Sequence, residues 1–258
     1  MELTRSKKNW EELGQQDPMW AILSDPSKKG RRWEPAAFFK TGERDVNGLL
    51  DEIRVAEFPL QRGTALDFGC GLGRLTQALC SHFGKCYGVD ISSTMLAEAN
   101  RYNRFGAACE YVLNNVSDLR CFADNSFDFI YSHLVLQHIP PEAGIQYVAE
   151  FVRVLKIGGL LIFQAPSEQR PAPEQPVMAP PVAAAPVAPA IEEPIVAPAA
   201  PTGVYENIEK LIDMHALPRE QVVAAIEQSG GRILQVQEYN SAGPEWLSFR
   251  YWVTKSRS

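Results

Sequence analysis

The chain has 258 residues, of which 45% are hydrophobic and 10% aromatic, and this is enough to bury the core of one large α/β domain. Its formal net charge of -6 at pH 7 gives no electrostatic reason to attract nucleic acid or acidic lipid head groups. No stretch reaches the roughly 20 apolar residues of a membrane-spanning helix. We therefore expect a globular protein with neither a nucleic-acid partner nor a membrane span, and its oligomeric state is left open.

The cysteines argue against both a disulfide framework and a zinc site. They are odd in number, none forms a Cys-x-x-Cys pair, and the chain has only 4 histidines. They are Cys70, Cys80, Cys86, Cys109 and Cys121. Free thiols persist in reducing compartments, and the first residues lack the apolar core of a signal peptide. We expect a cytoplasmic protein without a metal site.

Residues 1–62 read as a helical, aromatic-rich unit. Its large aromatic side chains are Trp10, Trp20, Trp33, Phe38 and Phe39. Such a unit either covers a binding site as a lid or caps the sheet, and both alternatives stay open. If it is a lid, its aromatic side chains favour an apolar or ring-bearing ligand.

Residues 63–165 alternate short apolar runs with amphipathic stretches, which is typical of βαβ units around a parallel sheet. The predicted strands are 64–68, 86–90, 109–113, 127–132 and 160–164. The spacing of apolar residues predicts helices over 72–83, after a cap at Ser92 or Ser93, and from Pro140 onward. We expect the glycines at 158 and 159 to cap the end of this last helix.

The composition changes sharply in residues 166–203, where proline, alanine and valine dominate. Because proline removes backbone donors and disfavours helix and sheet interiors, we predict a flexible insertion there. Residues 204–258 are predicted to complete the sheet with a helix over 219–229 and two strands, 232–239 and 247–254.

A glycine loop follows the first predicted strand. Glycine lets the backbone approach a ligand closely, and the helix that follows directs its N-terminal N–H groups toward the loop. Dinucleotide dehydrogenases place a Gly-x-Gly-x-x-Gly loop at the same position, but their third glycine is Arg74 here, and the spacing is Gly69-x-Gly71-x-Gly73. Asp67, just before the loop, suits a ligand with positive charges better than a pyrophosphate.

Asp90 ends the second predicted strand. A carboxylate at this place can accept hydrogen bonds from both hydroxyls of a ribose. The alternative is that Asp90 only caps the following turn at 91–93. Either role places its carboxylate at the same edge of the sheet as the glycine loop.

With these motifs, the chain resembles the class I S-adenosylmethionine-dependent methyltransferases, especially their small-molecule branch. The resemblance covers residues 63–164 and rests on Leu66-Asp67-Phe68-Gly69-Cys70-Gly71-Leu72-Gly73-Arg74, Gly88-Val89-Asp90-Ile91-Ser92, Asp124-Asn125-Ser126-Phe127-Asp128 and Val135-Leu136-Gln137-His138-Ile139-Pro140. It implies a Rossmann-like α/β fold with a mostly parallel seven-stranded sheet and helices on both faces. It also implies S-adenosylmethionine as cofactor and a small molecule as methyl acceptor.

The resemblance assigns a role to each cofactor-binding position. Gly69 and Gly71 approach the methionine part, Asp90 holds the ribose, and Ile91 packs on adenine. Asn115 and Val116 meet the adenine edge, although the family more often has Asp where Asn115 stands. The full predicted set is Asp67, Gly69, Cys70, Gly71, Asp90, Ile91, Asn115, Val116 and His133.

His138 is the predicted general base, because the unperturbed pKa of histidine lies near neutrality. The alternative is a structural histidine bonded to backbone. His215 is a second candidate, and Asp128 is expected to be structural. Two other functions stay open: an NAD-dependent oxidoreductase, and a methyltransferase-like binding protein without turnover.

Overall fold

A computed structural model of the chain describes residues 2–171 and 211–256. The strands in these residues are β1 (Thr64–Phe68), β2 (Lys85–Asp90), β3 (Cys109–Leu113), β4 (Phe127–Ser132), β5 (Leu155–Gln169), β6 (Gly231–Glu238) and β7 (Trp246–Lys255). They form one sheet in the order β3-β2-β1-β4-β5-β7-β6. Strands β1 to β5 are parallel, and β7 runs antiparallel to its neighbours β5 and β6. The expected seven-stranded, mostly parallel sheet is confirmed.

Helices cover both faces of the sheet. Their bounds are α1 (Glu2–Gln16), α2 (Pro18–Ile22), α3 (Pro35–Val55), α4 (Arg74–Cys80), α5 (Ser93–Tyr102), α6 (Pro141–Val154) and α7 (Arg219–Gln228). Helices α6 and α7 pack on one face and α3 and α4 on the other. None of the helices in residues 2–171 and 211–256 has the length and apolar character that a membrane crossing requires.

Strand β1 shows why the sheet is apolar on both faces. Leu66 and Phe68 pack into the core beneath α6, whereas Ala65 packs into the core beneath α3 and α4. Successive side chains of a strand point to opposite faces, so a central strand with helices on both sides is apolar at nearly every position. Asp67 is the polar exception, and it lies at the carboxyl end of the strand, where a site can form.

Helix α4 is shorter than the sequence predicts. The expected range was 72–83, but the helix spans Arg74–Cys80. Gly73 precedes it with a φ of 77°, a left-handed conformation that cannot continue a right-handed helix toward the N-terminus. By contrast, the predicted cap of α5 is confirmed at Ser92, whose side chain accepts a hydrogen bond from the N–H of Met95.

The prediction for Gly158 and Gly159 is wrong. Helix α6 already ends at Val154, and β5 begins at Leu155, well before the predicted start at 160. Gly158 has a φ of 76° inside the strand, at a register shift in the pairing with β7. Glycine at this position permits a β-bulge rather than a helix cap. The spacing of apolar residues in the sequence does not distinguish a bulge from a cap.

Strand β5 also reaches further than expected. Its last residues, 166–169, pair with β7, although they belong to the range predicted as a flexible insertion. The rest of that prediction, 172–203, and the start of the C-terminal unit at 204–210 lie outside the described residues. Helix α7 and strands β6 and β7 appear within a residue or two of their predicted positions.

Asp128 joins two strands at the end of the sheet opposite the glycine loop. Its Oδ2 accepts hydrogen bonds from the Thr64 N–H at 2.7 Å and from Lys156 Nζ at 2.8 Å. These contacts fix the starts of β1 and β5 relative to β4. The expected structural role of Asp128 agrees with this position.

Candidate active site

The glycine loop connects β1 to α4 and is fastened to β2. The N–H groups of Gly69 and Cys70 both donate to the carbonyl of Val89, at 2.8 and 2.9 Å. Gly69, Gly71 and Gly73 all have positive φ angles, which side chains disfavour. A Cβ on Gly69 would overlap the side chain of Val135, so the space beside this glycine is already occupied by protein.

Asp90 lies at the end of β2, beside this loop. Its Oδ2 accepts a hydrogen bond from Gly71 N–H at 2.8 Å, and its Oδ1 accepts one from Ser92 N–H at 2.9 Å. Burial raises the pKa of Asp90, although these backbone donors oppose the shift. The capping role and the ligand role are compatible, because each carboxylate oxygen retains a lone pair.

Asp67 is buried on the other side of the loop. Thr76 donates a hydrogen bond of 2.6 Å from its hydroxyl to Asp67 Oδ2. Burial raises the pKa of Asp67 to about 6, against the opposing effects of Thr76 and Arg74. Near neutral pH the carboxylate is therefore mostly ionised and places a negative charge at the carboxyl end of β1.

These residues line a cavity of about 470 Å³ at the carboxyl ends of the parallel strands. Ligands of open α/β sheets bind at this edge, and the volume falls in the range of small-molecule sites. Eight of the residues singled out in the sequence lie in its wall: Asp67, Gly69, Cys70, Gly71, Asp90, Ile91, His133 and His138. The structure thus brings most of the predicted site together.

Asn115, Val116 and His215 do not line the cavity. Asn115 and Val116 are exposed at the end of β3, Val116 to 47%. Asn114 lies in the cavity wall instead, because its backbone N–H donates to the Asp90 carbonyl at 2.9 Å and draws this residue inward. After β3 the cavity wall is therefore formed by Asn114 rather than by Asn115 and Val116, and the adenine contact of this segment stays a prediction.

His138 packs under the N-terminal helix. Its Nδ1 lies 2.7 Å from the carbonyl oxygen of Asp213, and because a carbonyl only accepts, Nδ1 carries the proton. Nε2 then accepts from Gln137 Nε2 at 3.2 Å. Burial lowers the pKa of His138 to about 4. The ring is neutral near pH 7, and both of its nitrogens are engaged.

His133 contrasts with His138. Both of its ring nitrogens are buried and have no hydrogen-bond partner among the described residues. The ring stacks on Tyr131 and lies 5.8 Å from the ring of Tyr239. Burial, followed by the positive charge of Arg74, lowers its pKa to about 4. His133 is thus a neutral ring in the cavity wall with its hydrogen-bonding capacity unused.

A family model described as a methyltransferase domain matches residues 66–163, the segment that carries the glycine loop, Asp90 and both cavity histidines. Residues 66–163 therefore resemble a methyltransferase domain over the part of the chain that forms the glycine loop and the cavity histidines. The match begins in β1 and ends in β5, so it covers the parallel part of the sheet. The helices that precede β1 and the strands that follow β5 lie outside it.

Several characterised relatives carry the same domain. The chain is 31% identical over 134 residues to a ubiquinone biosynthesis O-methyltransferase of Methylococcus capsulatus, which covers 52% of this chain and 55% of that protein. It is 30% identical to a trans-aconitate 2-methyltransferase of an Azoarcus species, over 52% of this chain and 51% of that one. The chain thus spans about half the length of the curated relatives it matches.

Solved structures share the fold over a longer stretch. A magnesium protoporphyrin IX methyltransferase from Synechocystis, with bound SAH, superposes with a TM-score of 0.62 at 15% identity and covers 99% of this chain and 100% of that one. A methyltransferase from Clostridium acetobutylicum gives 0.58 at 18% identity, covering 92% of this chain and 98% of that one. At these identities the likeness concerns the fold alone.

The first helices of the chain cover the cavity. Leu3, Trp10 and Ile22 belong to its wall. Asn9 donates a hydrogen bond of 3.0 Å to the carbonyl of Leu211, and the ring of Trp10 lies 5.4 Å from that of His138 in an edge-on contact. This arrangement matches the lid alternative for the first part of residues 1–62.

The predicted N-terminal unit nevertheless has two parts. Helix α3 packs on the sheet with α4. Phe38 and Phe39 are buried against Trp20 and Met95 in a separate cluster and do not line the cavity. The residues before α3 thus lie over the cavity and α3 lies on the sheet, and the choice between lid and cap stays a prediction.

Sequence reasoning missed part of the cavity wall. The missed residues include Asn114, Gln137, Met214 and Ser241. Met214 and Ser241 come from segments far along the chain, and no local motif or period marks them. Gln137 belongs to the motif Val135-Leu136-Gln137-His138-Ile139-Pro140. Its position next to His138 was the feature of the sequence that could have indicated a place in the cavity wall.

Proposed function

We propose that the chain is an S-adenosylmethionine-dependent methyltransferase that acts on a small-molecule acceptor. The observation that carries this proposal is the position of Asp90. Its carboxylate lies in the cavity wall next to the glycine loop and is held there by the N–H groups of Gly71 and Ser92. A carboxylate held in this way keeps lone pairs for the two hydroxyls of a ribose. The accepting atom, whether oxygen, nitrogen or carbon, is left open.

The charge of the wall fits the cofactor. Asp67 and Asp90 both contribute carboxylates near the glycine loop, which suits a ligand with a sulfonium and an ammonium group and repels a pyrophosphate. The residues proposed to bind the cofactor are Asp67, Gly69, Cys70, Gly71, Asp90, Ile91 and Asn114, whereas His133, to which the resemblance also gave a cofactor role, is proposed to face the acceptor instead. Asn114 takes the place that the sequence indicated for Asn115 and Val116.

The cofactor supplies a methyl group on a positively charged sulfur, which leaves the protein mainly the tasks of alignment and water exclusion. The glycine loop and Asp90 fix the position of the cofactor. The side chains of Leu3, Trp10 and Ile22 close the cavity from the N-terminal side. His138, with its ring held by the Asp213 carbonyl, is proposed to orient the acceptor, and it can take a proton through Nε2 only after losing the hydrogen bond from Gln137.

A small acceptor is supported by the size of the cavity and by the names of the relatives. The negative net charge speaks against nucleic acid as the acceptor. We also infer a cytoplasmic location, because all five cysteines are free thiols in the structure. Neither inference depends on which atom receives the methyl group.

The proposal is tested by calorimetric titration of the purified protein with S-adenosylmethionine and, separately, with NAD. Binding of S-adenosylmethionine alone, lost in Asp90→Ala, supports it. Asp51→Ala is the matched control, because Asp51 is exposed on α3 and pairs only with Arg54. Binding of NAD would favour an oxidoreductase. Binding of S-adenosylmethionine without product from any acceptor tested would favour a non-catalytic binding protein.

A further inference from the structure

One part of the cavity wall holds hydrogen-bonding groups that the protein itself does not use. The groups are Arg74 Nε, both ring nitrogens of His133 and the hydroxyl of Ser241, and all are buried without a partner among the described residues. Arg74, His133 and Ser241 all line the cavity, and we call them the Arg74 corner. Because a buried polar atom without a partner costs free energy, this corner is built to receive a ligand.

Tyr239 connects the His133 part of the Arg74 corner to the Ser241 part. The ring of Tyr239 lies 5.8 Å from that of His133, and the backbone N–H of Ser241 donates to the Tyr239 carbonyl at 2.9 Å. The guanidinium of Arg250 stacks over the other side of the Tyr239 ring, 4.4 Å from its centroid. The loop between β6 and β7 therefore brings Ser241 to the same side of the cavity as His133.

The potential at this corner is positive. Arg74 is only 4% exposed, and its ion pair with Asp45 leaves Nε available. Arg250 pairs with Glu52. Apart from burial, the positive charges of Arg74 and Arg250 lower the pKa of His133, and only Asp45 opposes them. Negative charge is therefore favoured beside the His133 ring.

We propose that the Arg74 corner binds a carboxylate carried by the methyl acceptor. Arg74 Nε–H, a ring N–H of His133 and the Ser241 hydroxyl can all donate, and a carboxylate is an acceptor group with lone pairs for several donors that the charge of Arg74 also favours. The same cavity is also lined by the apolar side chains of Trp10, Ile139 and Met214, which favour an acceptor with a hydrophobic body. The acceptor is thus an apolar or aromatic carboxylic acid.

This inference rests on the proposed function, because it assigns the acceptor of the same reaction. It concerns binding alone and requires no base, which is consistent with the engaged nitrogens of His138. The rival occupant of the corner is the carboxylate of the cofactor itself. If the cofactor carboxylate occupies the corner, substitutions in the corner weaken the binding of S-adenosylhomocysteine. If the acceptor occupies it, they weaken the binding of the acceptor instead.

The test uses S-adenosylhomocysteine to fill the cofactor site and two probe pairs that differ only in charge: benzoate with benzamide, and 3-phenylpropionate with 3-phenylpropionamide. Each probe is titrated calorimetrically into the saturated protein. We expect the acids to bind about tenfold tighter than their amides, as charged hydrogen bonds predict. His133→Asn and Ser241→Ala should each remove this preference. His82→Asn is the matched control, because His82 lies outside the cavity wall.

Each possible result has a single interpretation. A preference for the acids that disappears in both variants supports the inference. No preference, or one that survives in both, overturns it and leaves the proposed function intact. If His133→Asn weakens S-adenosylhomocysteine but not 5′-methylthioadenosine, which lacks the amino-acid tail, the corner holds the cofactor carboxylate and the inference is wrong. If the folded wild type does not bind S-adenosylhomocysteine, the proposed function itself fails.

Discussion

Glu11 caps the N-terminus of α5 although it belongs to α1, and its Oε1 accepts hydrogen bonds of 2.8 Å from both the backbone N–H and the hydroxyl of Ser93. Its Oε2 accepts the N–H of Thr94 at 3.0 Å. Burial raises the pKa of Glu11, but these hydrogen bonds outweigh it and lower the pKa to about 2. The helix that covers the cavity is thus fastened three residues from Asp90.

Replacing Glu11 by alanine should loosen this cover. A helix cap contributes about 1 kcal/mol, so amide hydrogens of α1 should exchange about fivefold to tenfold faster than in the wild type. The measurement is hydrogen exchange resolved by mass spectrometry. Glu12→Ala is the control, since among residues 2–171 and 211–256 Glu12 accepts a hydrogen bond from Gln16 of its own helix and from no other residue. Equal exchange in the two variants would contradict the fastening role.

Gly69→Ala should destabilise the fold more than Gly158→Ala. Both glycines have nearly the same positive φ, 75° and 76°, but a Cβ at position 158 meets no atom within 4 Å, whereas one at 69 meets Val135. We expect losses of about 1 kcal/mol for Gly158→Ala and about 2 to 4 kcal/mol for Gly69→Ala, measured by urea unfolding. Adding Val135→Ala should recover part of the larger loss, and no recovery would argue against this clash.

The adjacent asparagines form a matched pair. Asn114→Ala should weaken S-adenosylmethionine binding by about tenfold, because this side chain lies in the cavity wall, and Asn115→Ala should leave binding unchanged. Asn114 also donates to the Asp118 carbonyl at 2.8 Å, so its stability must be measured beside its affinity. Weakened binding in Asn115→Ala alone would restore the assignment made from the sequence.

The strand ends were predictable, but the exact residue that faces the site after β3 was not. Asp67 and Asp90 follow buried apolar runs, and the end of such a run marks the edge where ligands bind. Asn114 and Asn115 are the same residue type in succession. Which one points inward depends on a hydrogen bond to Asp90, a contact between strands that has no signature in the local sequence.

The helices that lie over the cavity were even harder to predict from the sequence. Arg5 and Asp213 form an ion pair at 3.1 Å although 208 positions separate them, and Asn9 contacts Leu211 over a similar span. Periodicity reports only which face of a helix is apolar. It therefore indicated helices before β1 without indicating which of them lie over the site and which lie on the sheet.

The affinity for S-adenosylmethionine should fall as the pH drops through about 6. Burial raises the pKa of Asp67 to about 6, so the carboxylate that faces a cationic ligand becomes protonated below that pH. Calorimetric titrations at pH 7.5, 6.5 and 5.5 measure the slope. Asp67→Asn should bind more weakly at pH 7.5 and show a flatter profile. An unchanged slope in this variant would assign the titration to Asp90, whose pKa is also raised.

The two cavity histidines should make the fold acid-sensitive. Burial lowers the pKa of His133 and of His138 from 6.5 to about 4, so between these values the unfolded chain binds protons that the folded chain does not. The free energy of unfolding should therefore decrease as the pH falls from 6.5 toward 4. Asp67 and Asp90, whose pKa values are raised, act in the opposite direction over part of this range, whereas the lowered pKa of Glu11 acts in the same direction as the histidines.

Urea unfolding at several pH values measures this slope. His133→Leu removes one of the two titrating rings, so its stability should depend less steeply on pH than that of the wild type. His138 remains in this variant and should preserve part of the slope. A slope that is as steep in His133→Leu as in the wild type would show that His133 is protonated in the folded state.

The glycine loop is a junction at which three separate segments meet. A Cβ at Gly69, Gly71 or Gly73 would run into Val135, Ile22 or Tyr111 respectively. Substitutions in this loop therefore disturb folding whether or not a ligand is bound. A variant of the loop changes the stability of the fold and the affinity for a ligand together. Ile212, Met214 and Ser241 also line the cavity but are not among the contacts of these three glycines, so their side chains can be exchanged to alter the cavity without crowding the loop.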